Sequence, residues 1–251
     1  MLNGEFLCPR NISLIFQVPN HKLKKRLIDI LKDKNVHNYN LSIAIPKSFI
    51  ELDKTVLTEN AINFWENYQK GLFYKISNFL TKDYQYLNSQ ISRFYIDFTD
   101  KSEETMQKKV FLWKKIWENQ DLLIIEGESS NLGMNNDLFN NVKSIERIKC
   151  PNKNAFDKYD EILSAARKFG ENKLLLIALG PTATVLAYDL AKLGFRAIDL
   201  GHIDIEYEGI LNKVTEKSTI PGKSMTEIEN NDDDDNSTNS LEKEIISRIK
   251  F

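Results

Sequence analysis

The chain has no apolar run approaching the roughly 20 residues that cross a bilayer. Its start carries Asn3, Glu5 and Pro9 where a secretion signal would be continuously apolar. Both absences point to a cytoplasmic protein without a membrane span. Cysteine is scarce: Cys8 and Cys150 stand far apart and form no CxxC pair, which excludes a disulfide framework and leaves two reduced, structural thiols as the expectation. Charge of one sign is also missing, since 34 Lys and Arg face 36 Asp and Glu for a formal net charge of -2. No global field therefore favours nucleic acid or an anionic membrane. The chain lacks a Walker loop and a GxGxxG fingerprint, so kinase-like and nicotinamide enzymes are left without their motifs.

What is present is a globular composition, 41% hydrophobic and 28% charged, over 251 residues. That length suits one α/β domain with appendages. Leu23, Leu27, Ile30 and Leu31 fall at helical spacing between Asn20 and Lys34, and Ile62, Trp65 and Tyr68 do the same within Thr58 to Leu80. Leu41 to Pro46 and Ile91 to Asp97 read as strands, the latter presenting Arg93 on one side. From Glu103 onward, helical and strand-like stretches alternate. The helix Glu103 to Asn119 leads into the buried strand Leu122 to Glu126; then come a strand at Ser144 to Pro151 and a helix at Ala155 to Phe169. Lys173 to Pro181 forms a strand and turn, Thr182 to Leu193 a helix, and Phe195 to Gly201 a strand. The alternation predicts a Rossmann-like, mostly parallel sheet with helices on both faces. We expect one domain over residues 1–212. A tail follows over 213–251, disordered through the acidic run Glu229 to Ser240 and ending in a short helix from Leu241.

Ligands of open α/β sheets bind beyond the carboxyl ends of the strands, which directs attention to three loops. In the first, Gly180 ends a strand and Pro181 opens a helix that Thr182 or Thr184 can cap, leaving backbone N–H groups for a phosphate. The second, Glu126 to Phe139, offers Gly127, Asn136 and Asp137 for the hydroxyl and imide edges of a nucleoside. In the third, Gly201 to Gly209, an extended chain would line up His202, Asp204, Glu206 and Glu208 on one face. A divalent cation would relieve that like-charge cluster, and one carboxylate could act as general base.

The string ALGPTATVLAYDLAKLGFRAIDLGHIDIEYE, Ala178 to Glu208, resembles bacterial glycosyltransferases of the GT-D fold that act in glycosylation of serine-rich-repeat adhesins. Asn136 to Phe156, Ser92 to Asp97 and Ile124 to Glu128 extend the similarity. The resemblance implies transfer of a hexose from a UDP-sugar to a protein-linked glycan, assisted by Mn or Mg, with other glycosyltransferases as further partners. Carried over position by position, Glu208 matches the base. Asn136, Asp137, Gly180 and Thr182 match nucleotide contacts, and Glu5 and His202 match a metal site; Arg93 and Gly127 are expected to join the nucleotide-sugar contacts, and Asp204 the metal site. Two departures stand out: Asn3 replaces the aspartate of an opening Arg-Phe-Gly-Asp-Gly-Glu, and Asn131 replaces the arginine of Ser-Arg-x-Gly-x-Gly-Asn-Asp, whose second glycine becomes Asn135. They leave open an alternative, a non-catalytic relative that binds nucleotide sugar and assists an active enzyme.

Overall fold

The computed structural model describes residues 17–214 and 241–251. Two short strands, β1 (Ala44–Ile45) and β2 (Leu87–Asn88), pair in parallel at one side. The main sheet comprises β3 (Asp121–Gly127), β4 (Ser144–Cys150), β5 (Leu174–Ala178), β6 (Arg196–Asp199) and β7 (Ile245–Arg248) in the order β6-β5-β3-β4-β7, with every neighbouring pair parallel. The strands β3 and β5 are nearly continuous apolar runs because both faces of a parallel sheet are covered. Leu123, Ile125, Leu175 and Ile177 enter one core, and Leu122, Ile124, Leu174 and Leu176 enter the other.

Helices α1 (His21–Lys32), α2 (Lys47–Ile50), α3 (Glu59–Ser77), α4 (Glu103–Trp117), α5 (Tyr159–Phe169), α6 (Pro181–Lys192) and α7 (Ile203–Leu211) complete the layers. Asn20 begins α1 by accepting from the N–H groups of Lys22 and Leu23, and the helix buries Leu23, Leu27, Ile30 and Leu31 as its periodicity predicts. Each such side chain contributes about 1.5–3 kcal/mol. Residues of α3, α5 and α6 share that first core, whereas Met106, Trp113 and Trp117 of α4 and Ile203 and Tyr207 of α7 fill the second. Among the described residues, no helix is long and apolar enough to cross a membrane.

Three elements differ from their sequence-based expectation. Residues 91–97 form no strand: a 3-10 turn at Ser89–Ser92 runs into irregular chain. The amides of Tyr95 and Ile96 donate to Glu206, and the carbonyl of Phe94 accepts from Lys109 Nζ, so side chains replace a strand partner. The segment after Gly201 is helical rather than extended. The terminal helix expected from Leu241 is instead a 3-10 turn, Glu242–Glu244, followed by β7, which adds to the edge of β4. The acidic run at 229–240 lies outside the described residues, as do Cys8, Asn3 and Glu5.

The strand order places the connections from β3 and β5 on opposite courses: β3 leads to β4 on one side and β5 leads to β6 on the other. A crevice opens at such a switch point, beyond the carboxyl ends of the strands. The β3–β4 connection, residues 128–143, contains no helix although it joins parallel neighbours. A structureless connection of that length is characteristic of a binding loop. Here Leu132, Met134, Leu138 and Phe139 pin it by burial.

Candidate active site

The β3–β4 loop turns immediately at Gly127. A Cβ there would lie 2.9 Å from Asn152 Oδ1 and 3.0 Å from Ser130 Oγ, so the glycine lets the loop fold back over the sheet edge. The loop then runs through two left-handed asparagines, Asn131 at φ 49° and Asn135 at φ 59°. Asparagine tolerates this region better than other side-chain-bearing residues, which accommodates Asn135 where the resemblance has glycine. Beyond it, Asn136 Nδ2 donates to Asp204 Oδ1 at 3.0 Å and to Glu208 Oε1 at 2.6 Å. Its own Oδ1 accepts from the Leu138 amide at 3.0 Å, which fixes the orientation of the carboxamide.

On α7, the residues expected on one extended face are sorted by helical spacing instead. Asp204 and Glu208, one turn apart, converge on Asn136, and the Gly133 amide also donates to Asp204 Oδ1 at 3.0 Å. Glu206 points elsewhere: 2% exposed, it accepts from the amides of Tyr95 at 2.7 Å and Ile96 at 2.9 Å. Burial pushes its carboxyl above the usual range, while those two amides oppose the rise. The clamp holds the chain that carries Arg93, whose Nη2 lies 3.3 Å from His202 Nε2. A guanidinium only donates, so this contact requires Nε2 as acceptor and the ring proton on Nδ1.

The helix α6 begins differently. Gly180 is its N-cap at φ 52°, ψ -139°, a conformation that is essentially reserved for glycine, and Pro181 occupies the first turn. Thr184 Oγ1 donates to Asp199 Oδ2 at 2.7 Å, and the N-cap position, a glycine, has no side chain with which to cap the start. Thr182 is fully buried, and its hydroxyl has no hydrogen-bond partner among the described residues. The first-turn amides are already engaged, that of Thr182 donating to the Leu179 carbonyl at 3.2 Å and that of Ala183 to the Gly180 carbonyl at 3.0 Å; what remains for an anion is the positive end of the helix dipole and the unused hydroxyl.

Thus the structure joins Asn136, Asp204 and Glu208 directly and pairs Arg93 with His202. Gly180 and Thr182 stand at the neighbouring strand end. Asp137 faces α4 and the outer side of α7, where Lys114 and Tyr207 hold its carboxyl below the usual range. Among the described residues, no three of His, Cys, Asp and Glu gather as a metal cage. The amide nitrogen of Asn136 fills the gap between Asp204 and Glu208, relieving the like-charge repulsion that a cation would otherwise relieve. A groove lined by Ser164, Arg167, Lys168, Leu193 and Phe195 lies where helices α5 and α6 end, away from the loops that follow strands.

Residue-by-residue reading missed a buried ionic group beneath the loop, formed by Glu126, Arg147 and Lys149. The signal was present: alternation in SIERIKC sets Arg147 and Lys149 on one face of a central strand, where an unpaired charge is prohibitively costly.

A family model described as "Glycosyltransferase GT-D fold" matches residues 2–228. The chain is 36% identical over 242 residues to Glycosyltransferase GlyD of Streptococcus pneumoniae serotype 4, covering 92% of this chain and 28% of that protein. It is also 36% identical over 214 residues to the Probable glycosyl transferase Gly of Streptococcus gordonii, covering 84% of this chain and 30% of the relative. The chain therefore spans less than a third of the length of these curated relatives. Among solved structures it is similar to "A New Glycosyltransferase (DUF1792) from Streptococcus sanguinis", with a TM-score of 0.86, 33% identity, and coverage of 98% of this chain and 90% of that one. A second structure, described as the domain of unknown function 1792 with a distinct glycosyltransferase fold, gives a TM-score of 0.83 at 35% identity over 98% of this chain and 86% of that one.

Proposed function

Because the chain belongs to the glycosyltransferase family of the GT-D fold, we propose that it moves a hexose from a UDP-sugar to a protein-linked glycan, with Glu208 as the base. The observation that carries this reading is the convergence of Asn136 on Asp204 and Glu208 beside the switch point of the sheet. A base must be aimed before it can accept a proton. Glu208 is 8% exposed, and its two oxygens meet amide nitrogens of Asn136 and Asn212, which fix the carboxylate without protonating it. In the proposed reaction, Glu208 takes the acceptor hydroxyl proton as that oxygen attacks the anomeric carbon and the bond to UDP breaks.

The start of α6 is the proposed seat of the diphosphate, through the positive end of the helix dipole and Thr182 Oγ1. Arg93 and the loop around Gly127 and Asn136 complete the donor side of the proposal, whereas Asp137 is turned towards Lys114 and Tyr207. Mn or Mg fits the proposal because such ions are held by one or two carboxylates together with substrate phosphates, so no full protein cage is needed. Glu5, His202 and Asp204 are the proposed holders, and an ion bound there would supply positive charge against the diphosphate. His202 would have to exchange its Arg93 contact for that duty. Following the resemblance, the acceptor is proposed to be a glycan on a serine-rich adhesin in the cytoplasm, handled together with other glycosyltransferases.

The test is a titration of UDP with manganese and an assay of UDP-sugar turnover for the wild type and Glu208→Gln. The variant should lose about 10²–10⁴-fold in kcat while keeping UDP affinity. Full turnover in the variant removes Glu208 from the mechanism. A wild type that binds UDP but never turns over supports the alternative, a nucleotide-sugar-binding relative that assists an active enzyme. Of the two departures behind that alternative, Asn131 has a structural task, accepting from Lys149 Nζ at 2.7 Å.

A further inference from the structure

The carboxyl halves of β3 and β4 carry Glu126, Arg147 and Lys149 on one face, each with a side chain at most 2% exposed. Glu126 Oε1 accepts from Arg147 Nη1 at 2.8 Å and lies 3.0 Å from Lys149 Nζ. Two buried cations on one anion are not balanced, and uncompensated buried charge is strongly destabilising. The missing negative charge arrives from the far end of the chain: Arg147 Nε donates to Glu244 Oε2 at 2.6 Å. Glu244 sits just before β7, whose Arg248 forms an ion pair with Glu128; the next residue, Ile249, donates its amide to the Lys149 carbonyl at 2.8 Å.

The same charges hold the β3–β4 loop. Glu126 Oε2 accepts from the Leu132 amide at 2.8 Å, and Lys149 Nζ donates to Asn131 Oδ1 at 2.7 Å and to the Glu128 carbonyl at 3.1 Å. The next amide along, Gly133, is the one that reaches Asp204. A continuous chain of contacts therefore runs from Glu244 through Arg147, Glu126 and Leu132 to the acids of α7.

We propose that the C-terminal segment Leu241–Phe251 is a clamp on the donor loop, with Glu244 and Arg147 as positioning residues that set nucleotide-sugar affinity without touching the ligand. The inference rests on the reading of the β3–β4 loop as donor-binding. Without Glu244, Arg147 and Lys149 both lean on Glu126, and the carboxylate that orders Leu132 is drawn away from the loop.

The experiment uses the full chain and three proteins: wild type, Glu244→Gln, and the charge-balanced pair Arg147→Met with Glu244→Gln. Amide hydrogen exchange is followed at Leu132 and Gly133 with α1 as internal reference, alongside UDP binding by calorimetry and, where turnover is measurable, the split between KM and kcat. Glu244→Gln should speed exchange at Leu132 and Gly133 and weaken UDP binding by about tenfold, raising the donor KM while leaving kcat within about twofold. The balanced pair, which retains Lys149 opposite Glu126, should recover most of both losses. Unchanged exchange or unchanged UDP affinity in Glu244→Gln overturns the clamp, as does a balanced pair no better than the single variant. A wild type that binds no UDP defeats the donor-loop reading itself, an outcome separate from a wild type that binds normally and a variant that binds equally well.

Discussion

Helices α6 and α7 start at the carboxyl ends of adjacent strands, yet they start in opposite electrostatic states. The first turn of α6 contains no acid, its N-cap Gly180 brings no side chain, and the Thr182 hydroxyl is buried with no hydrogen-bond partner among the described residues. The first turn of α7 carries Asp204 and Glu206, which already complement the positive end of its dipole. An incoming diphosphate gains at α6 what is spoken for at α7. The contrast divides the labour: one strand end receives the anion, and the neighbouring one supplies a carboxylate for proton transfer.

The largest effect should come from removing the carboxylate that α7 spends on structure. Glu206→Ala strips two buried amides of their acceptor and should cost about 2–4 kcal/mol, lowering Tm by about 5–15 °C. Glu206→Gln, which keeps one acceptor oxygen, should lose less. Because burial raises the folded-state pKa of Glu206 above its ordinary 4.5, the native state holds its proton longer than the unfolded chain. The side chain therefore favours folding less as pH rises from that value through the folded pKa, and a slope of this sign should vanish in Glu206→Gln. An unchanged Tm in Glu206→Ala would return the carboxylate to the catalytic group and break the contrast between the two helices.

A smaller but more selective effect is expected at α6. Thr182→Val replaces an unsatisfied buried hydroxyl by a methyl of similar shape, so stability should hold or rise by about 1 kcal/mol. UDP binding should nevertheless weaken by about tenfold, the worth of one hydrogen bond to a charged group. Unchanged affinity in a calorimetric titration would move the phosphate away from this helix start.

These assignments were partly legible beforehand, and the failures are physical. The alternation of elements after Glu103 and the apolar runs of β3 and β5 gave the parallel sheet correctly, because burial on both faces leaves a strong local record. Residues 202–208 misled because IDIEYE satisfies two periods at once, and six residues are too few to choose. Ile203 and Tyr207, one helical turn apart and both buried, settled it. The run RFYID resembled a strand, but its Tyr95 and Ile96 amides are taken by Glu206, far along the chain, and its carbonyls by the side chains of Lys101 and Lys109. Likewise EKEIISRIKF has helix-forming composition, and only the open edge of β4 with its unbalanced Arg147 makes it a strand.

The smallest effect concerns the outer side of α7. Asp137 is held below its ordinary 3.8 first by Lys114 and then by Tyr207, so it contributes stability that is fully present above 3.8 and lost as pH falls through its folded value. The side chain is 55% exposed, and solvent screens the pair with Lys114, which keeps the contribution below about 1 kcal/mol. Asp137→Asn should therefore lower Tm slightly at pH 7, and the difference from wild type should shrink as the solution is acidified below 3.8 or as salt is raised. If UDP affinity falls further than stability does, Asp137 works on the nucleotide as well as on α4. Donor binding would then reach across α7, and the separation of an anion-receiving helix from a proton-accepting one would have to be drawn between side chains rather than between strand ends.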